Sequence, residues 1–251
     1  MNRNTLTLAA VWIIILLLGG TMLYGFALQA LQGNYIGLFA IVFAVIMTVG
    51  IRWYVLGRIA RLLKQSEIAE PLLAYYHRTL VRNVTIPNGD ALYAHAAALV
   101  QLFYADYPGA RATLDSINWD GRMPLIQATR QSVEALLCYI DTRDYERGLV
   151  LAREAEKLGN IAGVLPGAKT SAAAYRSYVE IGEILCDRAT SQTLQSLRNK
   201  SKKLSTLGKL LIAWGLMIGY SKAGDATQAE IMRSYLQRTA PHCQALLIRI
   251  V

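Results

Sequence analysis

The chain has 251 residues, 54% of them hydrophobic, and a formal net charge of +9. That length holds a sizeable core, and the basic balance directs attention to anionic partners. Three scattered cysteines, Cys138, Cys186 and Cys243, make no disulfide framework and suit a reducing compartment.

The first predicted elements are two uncharged runs, Leu6–Leu28 and Tyr35–Ile51, separated by residues 29–34. A bilayer core about 30 Å thick takes ~20 apolar residues in a helix. The runs therefore predict a transmembrane helical hairpin, residues 1–56, with spans at 6–28 and 35–56. Arg52, Trp53 and Tyr54 suit the headgroup layer, and Arg58, Arg61 and Lys64 follow them. Basic residues stay on the cytoplasmic side, so both termini are expected there. The expected location is an integral position in a bacterial inner membrane. Ala40, Ala44 and Thr48 form a small-residue stripe on which membrane helices pack closely.

Residues 57–84 read as basic juxtamembrane helices interrupted at Pro71. Residues 52–82 hold six basic residues (52, 58, 61, 64, 78 and 82) against Glu67 and Glu70, which suits anionic lipid headgroups. A nucleic-acid partner is not expected, because no aromatic-rich basic patch accompanies the charge.

Residues 85–251 read as helix pairs, with Pro and Gly between periodic runs and no alternating strand pattern. The run Gly224-Asp225-Ala226-Thr227-Gln228-Ala229 has Leu216 and Tyr220 before it and Pro241 after it. Asp144-Tyr145-Glu146-Arg147-Gly148 follows Tyr139 in the same way, and Asp106-Tyr107-Pro108-Gly109-Ala110 follows Ala98. A weaker copy carries Tyr178, Ile181 and Gly182 on its first helix, with Leu194 on its second. This layout resembles the tetratricopeptide repeat, in which small residues let two helices cross closely. The departures are Gln101 in place of tyrosine, and Met217 and Leu136 where glycine or alanine is usual. The expected fold is all-α: a transmembrane hairpin followed by a tetratricopeptide-like solenoid of helical hairpins. The bland alternative is an irregular helical bundle.

The resemblance implies a concave groove lined by the first helix of each pair. Arg130, Leu137, Arg176, Trp214, Ile218 and Lys222 fall at groove positions, with Trp214 as the anchor. The competing reading packs these side chains against neighbouring hairpins. The cluster Arg198, Lys200, Lys202, Lys203 and Lys209 reads as a solvated helix face. The apolar tail from Cys243 to Val251 reads as a cap on the last hairpin.

No catalytic chemistry stands out. The stretch Gly163–Thr170 has one residue too few between its glycines for a phosphate loop, and no strand precedes it. His77, His95 and His242 lie far apart without a second ligand at helical spacing. No cofactor or metal is expected, and the chain reads as non-enzymatic. The expected function is a membrane-anchored adaptor that binds partner proteins through the groove. The alternative is an accessory subunit of a membrane complex, held by the hairpin.

Overall fold

A computed structural model describes residues 36–82, 88–161, 168–201 and 204–247. Every regular element among them is helical. The chain divides into two compact units, residues 1–58 and 59–251.

The described part of the first unit belongs to helix α1 (Ile36–Gln65). Here Phe43, Val45, Ile46, Val49, Tyr54 and Val55 are all exposed. The Thr48 hydroxyl donates to the Ala44 carbonyl at 2.7 Å, so its polar group is satisfied within the helix.

The membrane expectation is corrected. Among the described residues no helix is long and apolar enough to cross a membrane. The uncharged run of α1 ends at Ile51, before Arg52. It spans about 24 Å at 1.5 Å per residue, short of a ~30 Å hydrocarbon core. Instead of stopping at residue 56, the helix continues past Arg58, Arg61 and Lys64. This overturns the integral inner-membrane placement with cytoplasmic termini. The expected span 6–28 and the turn 29–34 lie outside the described residues.

In the second unit, α2 (Glu70–Tyr76) carries Pro71 in its first turn, where the missing N–H leaves no bond unmade. It passes into a π-helical turn, His77–Val81. Four helical hairpins follow. They are α3 (Gly89–Phe103) with α4 (Tyr107–Asp115), and α5 (Pro124–Leu137) with α6 (Tyr145–Ile161). Next come α7 (Ala168–Leu185) with α8 (Ser191–Lys200), then α9 (Thr206–Lys222) with α10 (Ala226–Thr239). A short helix, α11 (Gln244–Leu247), completes the described chain.

Three of the four turns share one device. Ala105 (φ 64°), Arg143 (φ 56°) and Gly224 (φ 77°) adopt left-handed backbone, and each is followed by an aspartate. The aspartates cap the second helix of each pair: Asp106 accepts from Gly109 N–H, Asp144 from Arg147 N–H and Asp225 from Gln228 N–H. After α3 and α9 the left-handed residue closes a Schellman-type end, with Asp106 N–H bonding Gln101 O and Asp225 N–H bonding Tyr220 O. The third pair differs. Its left-handed residue is itself an aspartate, Asp187, and α8 starts on a Thr190–Thr193 capping box.

The first helices of successive pairs, α3, α5, α7 and α9, touch one another in turn. Glycines on α6, α7 and α9 stand where a neighbour approaches. A Cβ at Gly148 or Gly182 would overlap Tyr139, and one at Gly215 would fall 2.6 Å from Ile181 Cγ1. Helix α9 is buried at every position from Leu210 to Gly219. An apolar helix without a polar face belongs in a core, and this one is enclosed by α7, α8, α10 and α11. Helix α11 also reaches α3, so the last described element meets the first hairpin. Burial there pushes the Cys243 thiol up to about 12.

Candidate functional site

The six expected groove positions divide into two groups. Leu137, Trp214 and Ile218 are 4%, 0% and 3% exposed, so they are core residues that no partner reaches. Trp214 sits midway along α9, and that position explains why it cannot serve as a surface anchor.

The three cations are nearer the surface but already have partners. Arg130 donates to Glu134 at 2.6 Å, one turn along the same helix. Arg176 lies 3.4 Å from Glu156 and 3.8 Å from Glu180. Lys222 Nζ donates to the Leu185 carbonyl at 2.9 Å and to Asp187 at 2.7 Å, tying α9 to the end of α7. The repeat register puts these residues on the first helices, and the packing of those helices takes Leu137, Trp214 and Ile218 into the core. Of the headgroup-layer set, Tyr54, Arg58, Arg61 and Lys64 are exposed. The side chains of Arg52 and Trp53 lie outside the described ones.

Two polar arrangements are buried within the hairpins. The carboxylate of Glu180, 5% exposed, accepts from Lys200 Nζ at 2.6 Å and Ser196 Oγ at 2.7 Å, while its Oε2 has no partner. His95 on α3 has a buried Nε2 without a partner, and burial pulls its pKa down to about 4. Among the described residues no group of His, Cys, Asp and Glu is placed to hold a metal ion.

A cavity of about 260 Å³ opens where α2 and its π-helical turn meet α3. Leu73, Ala74, His77, Arg78, Arg82 and Tyr93 line it. The His77 and Tyr93 rings meet edge to face, with centroids 5.2 Å apart and planes at 80°. Among the described residues no carboxylate lines the space. The nearest turn of α3 is fixed by Arg122, which donates to both Asp90 oxygens and, at 3.3 Å, to Asn88 Oδ1. This guanidinium holds the Asp90 carboxyl below the usual range.

The sequence shows a basic stretch over 52–82 but not this constellation. Tyr93 joins it only through the packing of α3 on the π-helical turn, and the one available signal was the four-residue spacing of Arg78 and Arg82.

No protein-family model, no curated protein and no solved structure matches the chain.

Proposed function

We propose that this chain is a non-catalytic adaptor, a scaffold of tetratricopeptide-like hairpins that holds a partner protein. The observation supporting this reading is α1, whose Phe43, Val45, Ile46 and Val49 are exposed together. Exposed apolar side chains in such a run mark an interaction site. An apolar helix of the partner, laid along α1, covers them with helix-on-helix packing. The burial of Trp214 moves the contact to α1. The hairpins then form the folded body of the chain, and α1 does the holding.

Tagged full-length chain tests this against the Phe43→Glu, Ile46→Glu double variant. The expected result is one protein that co-purifies at fixed stoichiometry with the unaltered chain and is lost from the variant, while circular dichroism is unchanged. Equal recovery of that protein by both overturns the reading.

A further inference from the structure

We propose that the cavity lined by His77, Arg78, Arg82 and Tyr93 binds a phosphate monoester group. Its charge is one-sided. Arg78 and Arg82 are exposed and form no ion pair among the described residues. Every Asp and Glu of the sequence lies among those residues, so no acidic side chain elsewhere in the chain neutralises them. Several other arginines of this unit do have carboxylate partners: Arg111 with Asp141, Arg122 with Asp90 and Arg188 with Glu146.

The local backbone concentrates that charge. Arg78 and Arg82 stand four residues apart across the π-helical turn, and like charges at this spacing repel. A helix C-terminus alone favours two cations. It does not account for the cavity between them, or for the tyrosine and the ring-packed histidine that complete its wall. π-Helical turns are frequent at functional sites, where they re-aim side chains. Two guanidinium forks match the oxygens of a phosphate, and His77 and the Tyr93 hydroxyl add donors. At about 260 Å³ the space is smaller than a typical drug-sized pocket and suits a headgroup-sized ligand. The proposal is independent of the partner on α1, because every lining residue lies in the second unit.

The group has two sources, a free phosphorylated small molecule or a lipid headgroup. Full-length chain is titrated calorimetrically with glycerol 3-phosphate. It is also floated with phosphatidylcholine vesicles containing phosphatidic acid, or phosphatidylglycerol at matched charge. Saturable binding of glycerol 3-phosphate assigns the soluble source, and a preference for phosphatidic acid over phosphatidylglycerol assigns the lipid source. In either case Arg78→Gln with Arg82→Gln weakens binding about tenfold or more. The control Arg198→Gln with Lys209→Gln leaves it unchanged. Both variant pairs alter side chains away from the core, and circular dichroism checks their folding. Absence of saturable binding and of the lipid preference, or equal losses in both variant pairs, overturns the proposal.

Discussion

The phenol oxygen of Tyr139 occupies the space that a Cβ at Gly182 would need, although the two residues belong to different hairpins. The ring also lies over Gly148, and its hydroxyl donates to the Tyr178 carbonyl at 3.3 Å. One fully buried side chain thus fixes the approach of α6 and α7 to the end of α5. Gly182→Ala should therefore destabilise the chain by about 1–3 kcal/mol through overpacking. Tyr139→Phe removes the closest overlapping atom and leaves Tyr139 Cζ and Leu149 Cδ1 at 2.9 Å, so the alanine should cost less in that background but still something. Urea unfolding of the four-member mutant cycle measures the coupling.

The left-handed turn residues give predictions of opposite sign. Ala105 and Arg143 carry side chains at positive φ, a conformation that costs non-glycine residues roughly 1–2 kcal/mol. Ala105→Gly should raise stability by about 0.5–1 kcal/mol once the glycine's own entropy is offset. Gly224→Ala, at φ 77°, should lower it by a similar or larger amount. Thermal unfolding of the two variants reads the contrast.

The buried Glu180 distinguishes breaking an ion pair from replacing it. Lys200→Met leaves the carboxylate, 5% exposed, with Arg176 at 3.8 Å as its nearest cation and should cost about 1–3 kcal/mol. Lys200→Met combined with Glu180→Leu should cost less than Lys200→Met alone. Chemical denaturation of both variants tests the ordering.

His95 predicts a pH dependence. Its folded pKa is about 4, below the ordinary 6.5, because burial disfavours the charged ring. The unfolded chain therefore takes up the proton first. Stability conferred by the neutral ring is fully present above about pH 6.5 and is lost as pH falls towards 4. The loss is on the order of 3 kcal/mol, at about 1.36 kcal/mol per pKa unit. His95→Leu should flatten the stability profile across that window.

Much of the second unit was legible because its turns are written in local chemistry. Asp106, Asp144 and Asp225 are good caps wherever they stand, and the small residues beside Tyr139 and Tyr220 mark close crossings. The all-helical, repeat-like character of the chain follows from them. The site was less legible because it depends on how hairpins meet. The same spacing that puts Trp214 on a first helix fits a groove or a core, and only the enclosure of α9 decides for the core. The π-helical turn has no composition signature, so the union of Arg78, Arg82 and Tyr93 had no local marker. The membrane expectation rested on uncharged runs. In the described part of α1 that run ends at Arg52 while the helix continues to Gln65.

The central claim, a partner protein held along α1, is tested most directly by site-specific photo-crosslinking in cells. A benzophenone amino acid is placed at Ile46 in one chain and at the exposed Val150 in another. The account predicts one heterologous protein crosslinked from position 46 and not from 150, through a peptide that maps to an apolar helix. Crosslinks from 46 to a second copy of this chain alone, or to no protein, would contradict it.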